Sequence, residues 1–239
     1  MPNALTVDVA VSKTEKYASR ESGDTVEMVE RPGGGFTIVM IDGQGSGKSA
    51  KTLSLLLSSK AVSLVKEGVR DGVVARATHD YLFAFRHGQV SATLDLLSLD
   101  LKTRSIVITR NAESPMVLMM NDHHSVLPVP SGPIGRYRWT KPVVTEVPMQ
   151  AGTEVVIFTD GIWHSGRRSG EPPIDLDAFA SATLGLNLPA QEIADRLLSS
   201  VIDRDQGRPN DDMAVVCLAL RSGASDPAIR RMTLEVSIQ

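Results

Sequence analysis

The chain has 239 residues, a formal net charge of −3 and one cysteine. That length suits one undivided domain over 1–239, and so mild a charge leaves no footprint for nucleic acid or an anionic membrane. Cys217 lies inside an apolar run, so no disulfide framework forms within one chain, and the residue reads as a small buried hydrophobe in a reducing compartment. The N-terminal stretch lacks a signal-peptide core and nothing approaches a membrane span, which predicts a soluble cytoplasmic protein.

Residues 4–12 alternate with period two, with Leu5, Val7, Val9 and Val11 on one side, as a half-buried strand does. Residues 25–30 and 36–41 flank an Arg-Pro-Gly-Gly-Gly turn and read as a hairpin. A Gly/Ser loop leads into an amphipathic helix over about 48–67, with Ala50, Leu53, Leu57, Ala61 and Leu64 as its stripe. A second helix over 71–86 carries Val74, Ala77, Tyr81 and Phe85 on a similar face. Short β-rich runs follow at 91–99, 105–110, 116–120 and 141–147, then 155–159. Helices are predicted at 176–183 and from Ala190 to about 203, with Pro189 at the start of the latter. Strands at 213–220 and 230–238 complete the chain. Paired helices between blocks of strands predict an α+β fold, a sandwich of two mainly antiparallel sheets flanked by helix layers.

Four aspartates mark the ends of four of these runs. Asp42 and Asp160 each close one and are followed by glycine; Asp24 opens another, and Asp211, with Asp212 beside it, opens the run at 213. If these strands are antiparallel neighbours, the carboxylates gather at one end of the sheet. Carboxylates so gathered repel unless a cation sits among them, and oxygen-only ligation suits Mg²⁺ or Mn²⁺. Phosphate esters are the natural substrate of such a centre.

The loop Gly43–Ser49 also invites a nucleotide-binding reading, because it follows a strand, opens a helix and ends in Gly-Lys-Ser. A P-loop needs glycine where Asp42 stands, and a carboxylate there opposes phosphate. A binding module without turnover is the third reading; the intact set Asp24, Asp42, Asp160 and Asp211 argues against it. Elsewhere, His123-His124 has no Cys or His at ligand spacing and reads as a loop or strand edge. Lys48 and Lys51 are either phosphate neighbours or solvated.

The segments Ser-Gly-Asp24, Asp42-Gly-Gln-Gly-Ser-Gly, Thr-Asp160-Gly and Asn-Asp211-Asp occur in an order and spacing that resembles the bacterial PPM-type protein phosphatases. These are metal-dependent serine/threonine phosphatases related to the stage II sporulation protein E catalytic domain. The chain is most similar to their stand-alone members in sigma-factor stress pathways. Residues 110–115 look like that family's turn before a proline, although Glu113-Ser114 replaces Gly-His, so the segment reads as structural. Gly132 to Gly135 looks like its glycine-containing turn, and Glu27 keeps a carboxylate where an aromatic residue is commoner nearby.

The resemblance implies two Mn²⁺ or Mg²⁺ ions, or three. Asp42 would bridge two of them with the Gly43 carbonyl completing one, Asp160 and Asp211 would hold the other, and Asp24 would reach the first. Water activated between the ions would hydrolyse phosphoserine or phosphothreonine on a regulatory protein, an anti-sigma-factor antagonist or a stress-sensing scaffold. Arg20, Arg167 and Arg168 are the candidates for substrate contact, and His164 for proton donation to the leaving oxygen.

Overall fold

A computed structural model describes residues 5–128 and 131–223; the strand expected at 230–238 lies outside the described residues. The chain runs β1 (Leu5–Thr14), β2 (Asp24–Glu30), β3 (Phe36–Gly43), α1 (Gly47–Lys66), α2 (Asp71–Arg86), β4 (Ala92–Asp100), β5 (Ser105–Asn111), β6 (Met116–Met120) and β7 (His123–Leu127). It continues with β8 (Val143–Pro148), β9 (Glu154–Phe158), α3 (Asp160–Trp163), α4 (Leu176–Thr183), α5 (Ala190–Arg204) and β10 (Met213–Ser222). The strands form two five-stranded sheets, ordered β1-β10-β9-β6-β7 and β2-β3-β4-β5-β8. Every pairing among the described strands is antiparallel, as the α+β sandwich requires.

Near-continuous apolar runs become strands here because both of their faces are covered. In β3, Ile38 and Met40 point between the sheets, while Val39 and Ile41 point to α1 and α2. In β10, Ala214, Val216, Leu218 and Leu220 face the inter-sheet core, and Met213, Val215, Cys217 and Ala219 face the layer of α4 and α5. The same alternation in β1 turns Val7, Val9 and Val11 inward and Ala10 outward onto the helix layer. Three apolar clusters thus glue four layers: α4 and α5, one sheet, the other sheet, α1 and α2. No helix among the described residues is long and apolar enough to cross a membrane.

Two expectations are corrected. The buried face of α2 is Val74, Ala75, Thr78, His79 and Leu82 rather than Val74, Ala77, Tyr81 and Phe85. Its sequence offers two apolar stripes, and tertiary contacts choose between them. Leu82 is fully buried, and His79 Nδ1 accepts a hydrogen bond from the Gly135 N–H at 3.0 Å. Tyr81 and Phe85 are left to stack on each other with Phe85 51% exposed. The stripe of α1 likewise ends on Val65, with Leu64 only partly buried.

Candidate active site

The four aspartates do come to one end, but of the sandwich rather than of a single sheet. Asp24 and Asp42 are direct cross-strand partners on β2 and β3. Asp160 and Asp211 belong to the other sheet: one follows β9, the other precedes β10, and the Phe158–Val215 pairing sets those strand ends side by side. Each sheet therefore contributes two carboxylates to a shared edge.

Thr159 ties the two sheets together at that edge. Its hydroxyl donates to Asp24 Oδ2 at 2.9 Å and accepts from the Ala214 N–H at 2.9 Å. Its own N–H donates to the Ala214 carbonyl at 3.0 Å. From the outer side, Lys13 and Lys51 both donate through Nζ to the Asp24 carbonyl, at 2.9 and 2.8 Å. These cations offset part of the negative field without touching the carboxylate oxygens.

The adjacent Asp211 and Asp212 play different parts. Asp212 is 4% exposed and spends both oxygens on backbone: Oδ1 accepts from the Lys16 N–H at 2.9 Å and Oδ2 from the Gly23 N–H at 2.8 Å. Asp211 is half-exposed, and its Oδ1 accepts only from the Asp212 N–H, at 3.0 Å. Asp212 orders the segment before β2, while Asp211 adds its charge to the field on Asp42 and feels that of Asp160.

Two glycines let these segments close. A Cβ on Gly161 would stand 2.1 Å from the Asp212 carbonyl oxygen, and one on Gly43 2.5 Å from the Ala50 carbonyl oxygen. The backbone after Asp160 thus lies against the Asp212 backbone, and the backbone after Asp42 against the first turn of α1.

Electrostatics mark the cluster as strained toward protonation. Burial, with the charges of Asp212 and Asp160 behind it, raises the Asp24 carboxyl to about 7, against the opposing Thr159 hydrogen bond. Burial and then the charges of Asp24, Asp160 and Asp211 push Asp42 well above the usual carboxylate range. Asp211 is raised by burial and by Asp160. Fully buried Asp24 also keeps one oxygen, Oδ1, without a hydrogen-bond partner.

Among the described residues, no three of His, Cys, Asp and Glu already converge on a common point. The four aspartates share an edge and a field rather than a closed coordination shell. Their donor set is nonetheless all oxygen, and the orphaned oxygen and mutual repulsion are both relieved by a divalent cation. The residues present fit Mg²⁺ or Mn²⁺.

The remaining candidates divide. His164 is beside the site, its Nδ1 3.8 Å from Asp160 Oδ2. Arg20 is exposed on the segment that Asp212 holds, and Lys48 is exposed at the start of α1. Arg167 and Arg168 are exposed on a hydrogen-bonded turn in which the Gly166 N–H donates to Asp205 Oδ1 at 2.8 Å. His123 and His124 lie on the edge strand β7, and His124 Nε2 is 3.5 Å from Asp177 Oδ1 on α4. Asn111 binds Ser131 Oγ and the Gly132 carbonyl, and the buried Arg110–Asp95 pair holds its strand, so that turn is structural. Burial pushes the Cys217 thiol up, leaving it inert.

Three residues of consequence escaped the sequence reading. Thr159 stood inside the quoted Thr-Asp-Gly motif, which was the available signal. Lys13 carried none. Asp205 also carried none, although its oxygens accept from Gly166 N–H, Asn210 N–H and Asn210 Nδ2, at 2.8, 2.8 and 2.7 Å. It joins the segment after Asp160 to the one before Asp211.

The family model for stage II sporulation protein E (SpoIIE) matches residues 32–221. The stage II sporulation protein E of Priestia megaterium is 25% identical over 226 residues, covering 91% of this chain but 37% of that protein. The chain thus spans little more than a third of that relative's length. The solved PP2C phosphatase domain of SpoIIE from Bacillus subtilis, with a fragment of its regulatory domain, superposes with a TM-score of 0.78 at 23% identity, over 93% of this chain and 65% of that one. The catalytic domain of the serine/threonine protein phosphatase PstP, in complex with two manganese ions, gives 0.69 at 13% identity, over 91% and 100%. These structural likenesses are likenesses of fold. With the family model covering most of its length, the chain belongs to the stage II sporulation protein E (SpoIIE) family.

Proposed function

We propose that the chain is a metal-dependent phosphatase acting on phosphoserine or phosphothreonine of a regulatory protein. The observation that carries this is the shared edge: two aspartates from each sheet, with Asp24, Asp42 and Asp211 raised toward protonation and one fully buried carboxylate oxygen of Asp24 unpartnered. Asp42 is central, because Asp24, Asp160 and Asp211 all press on it. We assign Asp24, Asp42, the Gly43 carbonyl, Asp160 and Asp211 as the groups that would hold the metal. Divalent cations bound there supply the positive charge that draws in phosphoryl oxygens and acidifies water.

The chain's own groups do the rest. Thr159 keeps Asp24 aimed inward, and Asp212 fixes the loop that carries Arg20 beside the edge. His164, whose Nδ1 is 3.8 Å from Asp160 Oδ2, is our candidate to return a proton to a leaving serine or threonine oxygen. Arg20, Arg167 and Arg168 remain the candidates for phosphoprotein contact. Anti-sigma-factor antagonists and stress-sensing scaffolds are the proposed substrates, in the cytoplasm, with residues 1–239 acting as one phosphatase domain.

The nucleotide-binding reading loses its support. Asp42 stands inside an acidic cluster, and the strand before the loop belongs to an antiparallel sheet. The test is hydrolysis of p-nitrophenyl phosphate with Mn²⁺ or Mg²⁺. Turnover is expected, with loss in EDTA and in Asp42→Ala or Asp160→Ala. Calorimetry is expected to find no saturable ATP binding, and Lys48→Ala to leave turnover near normal. Turnover indifferent to chelation refutes the assignment; partner binding without turnover favours a binding module.

A further inference from the structure

Beside the aspartate edge, the turn before β8 carries Arg136, Tyr137, Arg138 and Trp139, four consecutive exposed residues. Trp139 is 82% and Tyr137 60% exposed, where aromatic side chains are ordinarily withdrawn. Phe85, the stripe that α2 leaves outside, is 51% exposed, and Arg86 lies over its ring at 4.7 Å. Arg138 similarly stands 5.5 Å from the Trp139 ring centroid. The Gly88 backbone approaches the Arg136 carbonyl, which joins the end of α2 to this turn.

The stem of the turn is firmly held while its tip is free. Ile134 is fully buried and bridges to Ala92, and the Gly135 N–H donates to the buried His79. That anchorage fixes the position of the patch relative to the aspartates. Gly43 pairs with Ala92, and Ala92 with Ile134. Two strand spacings therefore separate the Gly43 backbone from the stem, on the order of 10 Å. A peptide of a few residues spans that gap.

Charge decides what the patch suits. No acidic residue stands between Asp122 and Glu146, whereas Arg136, Arg138 and Lys141 do, in a chain whose net charge is −3. Exposed Arg interleaved with Trp and Tyr is the composition of binding hot spots, and guanidinium pairs well with carboxylate. We propose that Phe85, Arg86 and the Arg136–Trp139 tip form a docking surface for an acidic segment of the protein substrate, flanking the residue to be dephosphorylated. This rests on the phosphatase reading for the substrate's identity, not for the binding itself. A cationic flank also steers an anionic partner toward an edge that is itself rich in carboxylates.

The test separates docking from turnover. A fluorescein-labelled serine peptide with Asp and Glu flanks, and its counterpart with Asn and Gln flanks, are titrated with the protein and followed by anisotropy. The acidic peptide is expected to bind at least tenfold more tightly. Arg136→Glu with Arg138→Glu should abolish that preference, and Trp139→Ala should weaken binding severalfold. Both variants are expected to keep wild-type turnover of p-nitrophenyl phosphate with Mn²⁺, since neither touches the aspartates. Equal binding of the two peptides, or binding unchanged by the double variant, overturns the proposal. So does tighter binding of a single-stranded oligonucleotide or of phosphatidylglycerol vesicles than of the acidic peptide. Failure of the wild type to hydrolyse p-nitrophenyl phosphate refutes the phosphatase reading instead, and the peptide titration still decides the docking surface.

Discussion

Asp24 makes the stability of the metal-free protein depend on pH in an unusual direction. Its folded-state carboxyl titrates at about 7 against an ordinary 3.8. Below pH 3.8 both states hold the proton and nothing is lost. Between 3.8 and 7 the unfolded chain releases its proton while the folded one keeps it, so folding weakens as pH rises; above 7 the loss levels off. A gap of that size corresponds to about 4 kcal/mol at 1.36 kcal/mol per pH unit. For a chain of this length that is a fall in Tm of roughly 10 °C. Asp42 and Asp211, also raised, push in the same direction.

Thermal unfolding in EDTA across pH 5 to 8 reads this out, and the difference between wild type and Asp24→Asn isolates the Asp24 share. The wild type is expected to lose Tm over that range, and Asp24→Asn, which carries no charge to bury, to lose markedly less. Mn²⁺ should restore the wild type at pH 8 and do far less for the variant. A metal-free Tm that is flat or rising from pH 5 to 8, or an equal slope in Asp24→Asn, refutes the account of the edge as a repulsive, cation-seeking cluster.

Thr159→Val should leave buried Asp24 Oδ2 and the Ala214 N–H short of a partner; a loss of roughly 2 kcal/mol in denaturant unfolding is expected, with Thr159→Ser close to wild type. Asp205→Asn keeps one acceptor oxygen where two now serve Gly166 and Asn210, so the Mn²⁺ concentration for half-maximal turnover should rise severalfold while the rate at saturating metal stays near normal. Gly161→Ala forces a methyl onto the Asp212 carbonyl and should cost about 1–3 kcal/mol of stability, read as a lowered Tm with Mn²⁺ present.

What the sequence disclosed followed from local causes. Runs such as those ending at Asp42 and beginning at Met213 announce strands because β3 and β10 are covered on both faces, and Pro189 announces α5. The segment β7 was harder, since its His-His-Ser start lacks apolar alternation and its pairing with β6 is what makes it a strand. Four-residue α3 is too short for any periodicity to show. On α2, two stripes were equally apolar, and the choice lay with Gly135 and His79, which are far apart in the chain. The Thr159–Asp24 bond spans 135 positions, so no window of sequence contains both partners. The division between Asp211 and Asp212 depends on the backbone of Lys16 and Gly23.

The repeated Asp-Gly pair is the exception that explains why the site could be read at all. In both sheets a strand delivers a carboxylate at its last turnout, and the next residue must let another backbone pass close by. At Gly161 the intruder is the Asp212 carbonyl, which brings the segment holding Asp211 against the one holding Asp160. At Gly43 it is the Ala50 carbonyl, which folds α1 back over the Asp42 strand end. A side chain at either position would hold those backbones apart and, with them, the carboxylates they carry. The glycine is thus a local mark of a long-range approach. Because the two sheets meet the same steric demand separately, the dipeptide recurs at separate points in the chain. Where the same edge is built by hydrogen bonds instead, as at Thr159 and Asp205, no residue type is obligatory enough to stand out.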